Sequence, residues 1–114
     1  MKTYECLVEK GQEDWEITVE APEPVMAKAV AKWCVIEEEE DINEFSVWDE
    51  IIDLPPYDKI NVDDKEEEKK LDDLIKSCKA HDLHQIRWPD SEDPITIEVV
   101  RCEETARSRP IPTP

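Results

Sequence analysis

With 114 residues the chain has room for one domain and one modest hydrophobic core. Charged and apolar residues each make up 39%, and thirty-one acids against fourteen lysines and arginines leave a net charge of −17, where a small domain usually carries a magnitude of about 2–8. No apolar run approaches the ~20 residues of a membrane span, no apolar signal-peptide core follows Met1, and anionic lipid repels an anionic surface, so the sequence predicts a soluble cytoplasmic protein with no membrane partner.

Tyr4, Cys6 and Val8 alternate with Thr3, Glu5, Leu7 and Glu9, and Trp15, Ile17 and Val19 alternate with Glu16, Thr18 and Glu20. Period-2 patterning of this kind predicts two strands, each with one buried face. Between them Lys10-Gly11-Gln12-Glu13 holds the only glycine of the chain, the natural place for a hairpin. Ala21-Pro22-Glu23-Pro24 ends the second strand. Val25, Met26, Ala29, Val30, Trp33 and Cys34 then form a helical stripe, with Lys28 and Lys32 outside it. Proline and Glu23 both suit the first turn.

Glu44-Phe45-Ser46-Val47-Trp48 reads as a third strand, although Trp48, Ile51 and Ile52 break its alternation and leave a bulge or helical turn equally allowed. Leu54-Pro55-Pro56-Tyr57 is a rigid connector. Leu71, Leu74, Ile75 and Cys78 repeat at i, i+3, i+4 and i+7, with Asp63 and Glu66 at capping-box spacing. Acids crowd its first turns and Lys76 and Lys79 its last, as the dipole favours, which predicts a helix over 63–80. Gln85-Ile86-Arg87-Trp88 reads as a short strand, and Ile95, Ile97 and Val99 begin a last strand reaching Cys102.

The pattern is β-β-α-β followed by α-β-β. It predicts a single α+β domain over residues 1–102, a mostly antiparallel sheet with two helices packed on it. Tyr4, Cys6, Val8, Trp15, Ile17, Val19, Val30, Trp33, Phe45, Val47, Leu71, Leu74, Ile75, Ile97 and Val99 are the expected core. Residues 103–114 lack apolar periodicity and read as a mobile tail; the alternative for Pro110 to Pro114 is a polyproline II ligand of an aromatic groove.

Cys6, Cys34, Cys78 and Cys102 lie far apart, each on an apolar face, and read as reduced, buried thiols behaving as small hydrophobes. Cys78, His81 and His84 form the one cluster of soft ligands. A structural zinc site takes four, so metal binding there is a weak alternative to a core-facing Cys78 followed by helix-end histidines. Val62-Asp63-Asp64-Lys65-Glu66 lacks the glycine of a calcium loop. One glycine forms no phosphate-cradling loop, and acids around Cys78 disfavour a thiolate. The sequence therefore predicts no cofactor and no enzyme.

Residues 37–75 hold seventeen acids against four lysines. Like charge at this density weakens the compact state, and helix mechanics do not call for acids after the first helix. Carboxylates at i and i+2 of a strand lie about 6.6 Å apart and those at i and i+4 of a helix about 6 Å, near two phosphate steps of about 3.4 Å along one DNA strand. Glu37, Glu38, Glu39, Glu40, Asp41, Glu44, Asp49, Glu50, Asp53, Asp58, Asp63, Asp64, Glu66, Glu67 and Glu68 thus form a candidate phosphate-like track. Trp48 lies within it as a candidate anchor; Trp88 is weighed between core and interface, and Trp15 and Trp33 belong to core stripes. The alternative is an ordinary interaction domain whose acids keep it in solution.

In size, acidity and its expected hairpin-helix-strand start, the chain resembles the small proteins of bacteriophages and mobile elements, some of which block restriction, CRISPR or repair enzymes by imitating DNA. The resemblance is one of class, and it implies a host-cell cytoplasm and a cationic partner. The expected function is a non-enzymatic inhibitor, or decoy, that binds a basic nucleic-acid-binding protein and makes no direct contact with nucleic acid.

Overall fold

The computed structural model describes residues 1–55, 57–61, 63–87 and 97–105. Strands β1 (Lys2–Lys10) and β2 (Glu13–Ala21) pair antiparallel in unbroken register from Lys2↔Ala21 to Lys10↔Glu13. Of the two residues joining them, only Gly11 has positive φ, at 64°, the position where a type II′ hairpin requires it. Helices α1 (Pro24–Glu37), α2 (Glu44–Ile51) and α3 (Lys65–Ser77) follow, with one 3₁₀ turn over Tyr57–Lys59, and then β3 (Lys79–Arg87) and β4 (Ile97–Glu104). The strands form one antiparallel sheet in the order β3-β2-β1-β4. This is the expected α+β class, with three helices rather than two.

Helix α1 lies across all four strands, α2 packs on α1, and α3 on α2. The sheet contributes Tyr4, Cys6, Val8, Trp15, Ile17 and Val19 to the core, the alternate residues that period-2 reading selects. Against them α1 buries Met26, Ala27, Ala29, Val30, Ala31, Cys34 and Val35. Glu23 fastens the start of α1. Its carboxylate accepts the N–H groups of Val25 and Met26 and also the hydroxyl of buried Tyr57, tying the segment before α3 to the first helix. Burial, with the Glu23 hydrogen bond second, raises the Tyr57 hydroxyl above its usual pKa.

Four expectations need correction. Residues 44–48 are the first turns of α2, not a strand: Asn43 Oδ1 accepts from Phe45 N–H and Ser46 N–H, and the buried pair Val47 and Ile51 has i, i+4 spacing. Phe45 is consequently 84% exposed instead of in the core. Helix α3 stops at Ser77, and residues 79–87 form one nine-residue strand where a short one was expected from Gln85. Cys6 and Cys102 face each other across β1 and β4 and are joined by a disulfide, so only Cys34 and Cys78 remain free thiols.

The rest of the core follows expectation more closely. Leu71 and Ile75 are buried, Leu74, Ile97 and Val99 are partly so, and Trp33 is half-buried. Strand β4 runs to Glu104, and Thr105 N–H reaches Thr3 O at 2.8 Å. Trp88, Ile95 and the tail from residue 106 lie outside the described residues.

Acids at the end of α1 carry a backbone cost. Glu38 sits in the left-handed region at φ 55°, ψ 37°, with Glu38 N–H donating to Val35 O and Glu39 N–H to Cys34 O. That is a Schellman cap, whose left-handed residue is ordinarily glycine. Glu38→Gly removes the Cβ penalty and only a weak ion pair, Glu38 to Lys10 at 3.7 Å. We expect a gain of about 0.5–1 kcal/mol in urea unfolding; a loss of stability would contradict this description of the cap.

The disulfide closes a loop of 96 residues' separation, worth about 4–5 kcal/mol in the chain-entropy picture. Thiol titration of the denatured protein should give two thiols per chain without reductant and four with it. Four without reductant would overturn the bridge.

Candidate functional site

The acids of residues 37–75 are distributed over the α1–α2 loop, α2, the α2–α3 connection and α3. Glu37, Glu38, Glu39, Glu40 and Asp41 are all exposed. Three of them are engaged within the fold as well: Glu37 accepts from Asn43 Nδ2 at 3.3 Å, Glu38 pairs with Lys10 at 3.7 Å, and Glu40 accepts the Leu83 N–H of β3 at 3.0 Å. This last contact ties the acidic loop to the edge strand, 43 residues away in sequence.

A concave surface of about 430 Å³ runs between this loop and the start of β3, lined by Glu40, Asp41, Ile42, Glu44, Lys76, Cys78, Lys79, Ala80 and His81. It adjoins a larger groove of about 750 Å³ between α2 and α3, lined by Glu44, Phe45, Trp48, Asp49, Lys65, Glu68, Lys69, Asp72 and Lys76. Glu44 and Lys76 belong to both, so carboxylates from the loop and two helices adjoin along one continuous depression. Glu68 and Asp72 have the i, i+4 spacing that places them on one helix face.

Several carboxylates are already engaged. Glu50 pairs with Lys32 at 2.6 Å and Asp72 with Lys76 at 3.0 Å. Asp72, helped by Glu44 and Asp73, raises the Lys76 ammonium above its usual pKa. Asp64 caps α3 by accepting Glu66 N–H, and Glu67 accepts Asn61 N–H. Asp53, Asp58, Asp63 and Glu66 are exposed but line neither concavity. Glu39, Asp41, Asp49 and Glu68 are exposed and make no side-chain hydrogen bond or ion pair among the described residues. Asp41, Asp49 and Glu68 line the concavities, whereas Glu39 lies outside both.

A second acidic field was not foreseen. The face of the sheet away from the helices carries Glu5, Glu9, Asp14, Glu16, Glu20, Glu98 and Glu103, the partners of the core residues in each alternation. Register places them beside Lys79, His81, His84 and Arg101. The same period-2 pattern that predicted the core contained this face, because each strand residue between two buried ones points outward.

Cys78, His81 and His84 do not converge. Cys78 is buried at the C-cap of α3, whereas both histidines lie on β3. His81 approaches Glu20 at 3.8 Å and Asp82 at 3.1 Å, and His84 approaches Glu16 at 3.4 Å. Among the described residues no group of three or more His, Cys, Asp or Glu side chains is arranged to hold a metal ion. No helix among the described residues is long and apolar enough to cross a membrane.

Fold and surface together define a small, strongly acidic α+β domain with an aromatic-bearing groove between its second and third helices. No family model, curated protein or solved structure matches the chain.

The acidic loop also affects the thiol beneath it. Burial, then Glu37, Glu40 and Asp41, push the Cys34 thiol up to about 12, and burial and Glu23 push Cys78 up to about 11. Both therefore keep their protons in the folded chain above pH 9, where an unfolded thiol ionises. Stability contributed this way is intact below pH 9 and is lost as pH rises toward 11–12. Each thiol adds a slope of about 1.4 kcal/mol per pH unit in that window. Urea midpoints at pH 8 and 10.5 should fall steeply for the wild type and less for Cys34→Ala; equal slopes would refute the coupling.

Proposed function

We propose that the protein is a non-enzymatic acidic decoy that occupies the cationic nucleic-acid-binding surface of a partner protein. The observation that carries this reading is the continuity of the loop, α2 and α3 carboxylates along the two joined concavities. Asp41, Asp49 and Glu68 supply open charge along them and Glu39 adds to it from outside the two linings, while ion pairs and caps restrain Glu50, Asp64 and Asp72. Helical i, i+4 carboxylates repeat at about 6 Å, close to two phosphate steps. A lysine- and arginine-lined groove that grips phosphates meets the same sign and a similar spacing here. Charge of this sign steers association and excludes nucleic acid itself as the ligand. Small acidic phage and mobile-element inhibitors of restriction and CRISPR enzymes, which the chain resembles in class, are the kind of protein this proposal describes.

A second reading draws on Phe45. An aromatic ring left 84% exposed also suits an interaction domain whose contact is apolar and whose charge maintains solubility. The two differ in salt dependence, steep for the decoy and shallow for the apolar contact.

Reversing Glu39, Asp41, Asp49 and Glu68 to lysine changes the net charge by eight without removing a side-chain hydrogen bond or ion pair among the described residues. In a pull-down from cell extract, the wild type is expected to retain nucleic-acid-binding proteins that duplex DNA displaces. The reversed variant, folded by circular dichroism, should retain none of them. Retention that is insensitive both to the reversal and to DNA would refute the decoy.

A further inference from the structure

We propose that the groove between α2 and α3 receives an arginine side chain of the cationic partner, an inference that rests on the decoy reading and adds the chemistry of its central contact. At about 100° per residue, the groove-lining residues of α2 follow one another around the helix as Glu44, Trp48, Phe45 and Asp49 within an arc of about 140°. Two aromatic rings are thereby bracketed by one carboxylate on each side. Phe45 is 84% exposed, whereas Trp48 is partly buried against the core and gives the pair a fixed base.

This arrangement distinguishes between cations. A guanidinium is planar, sheds water readily, stacks on an aromatic face and directs its N–H groups outward in the ring plane toward flanking carboxylates. A lysine ammonium is compact and strongly hydrated, and gains little from the rings at an exposed site. Asp49 makes no ion pair among the described residues, so it is open to the fork. Glu44 lies in the field of Lys76 and contributes less. Across the groove, α3 contributes Lys65 and Lys69, the open carboxylate of Glu68 and the Lys76–Asp72 pair, so the α3 wall is net positive and the α2 wall is the one that attracts the guanidinium. The site is therefore built for one arginine. Multiple basic contacts are left to the carboxylates outside the groove.

Octa-arginine and octa-lysine, equal in charge, separate this inference from the reading beneath it. Titrated calorimetrically at near-physiological salt, octa-arginine should bind the wild type about fivefold more tightly than octa-lysine. Phe45→Ala, at a position too exposed to unfold the chain, should bring that ratio close to one and leave octa-lysine affinity within about twofold. Equal affinity of both peptides for the wild type, or an arginine preference that survives Phe45→Ala, overturns the arginine site while the acidic decoy stands. If neither peptide binds, both fall.

Discussion

The seam between α1 and the sheet is the contact on which the other elements depend. Helix α1 buries seven residues between the four strands and α2, and three of the seven are alanines, small side chains that let the helix approach its neighbours closely. Helix α2 packs on α1 and α3 packs on α2, so the acidic helices rest on this seam in sequence. A chain at −17 repels itself. Apolar burial in the seam, the Glu23 knot to Tyr57 and the β1–β4 disulfide are the opposing forces. Their concentration in one layer leaves the remaining surface free to carry charge.

Where the sequence was legible, the reason was local periodicity. β1, β2 and α1 each have an uninterrupted pattern, and the single glycine marks the hairpin. Residues 44–48 misled because Phe45 and Val47 alternate by coincidence. Asn43 at an N-cap, with Val47, Trp48, Ile51 and Ile52 in helical spacing, was the stronger signal. β3 was hidden by its own irregularity. Asp82, at φ 58°, interrupts the register with β2, so Ala80 and Leu83, three apart, both pack toward the core and no period-2 pattern survives. The Cys6–Cys102 bridge depends on β4 pairing with β1, a non-local choice that no spacing in the chain encodes.

The candidate site was legible in part. Charge density pointed to residues 37–75, and Trp48 does line the groove. Composition could not show that Glu40, Glu50, Asp64 and Asp72 are engaged in the fold itself. Nor could it show that Phe45 is the exposed aromatic, because that follows from the rotation of α2 on α1. The outer sheet face adds a second acidic field, which strengthens long-range attraction of a cation without contributing to the joined concavities. In the proposed decoy, charge on both faces favours fast encounter and the groove supplies the specific geometry.

The most direct test is the association rate constant of the protein with a captured basic partner, measured by stopped flow as salt rises from about 50 to about 200 mM. Electrostatic capture predicts a fall of tenfold or more in the association rate, with a much smaller change in dissociation. An association rate that stays flat across that range would contradict the account, because it would mean that the carboxylates do not guide the encounter.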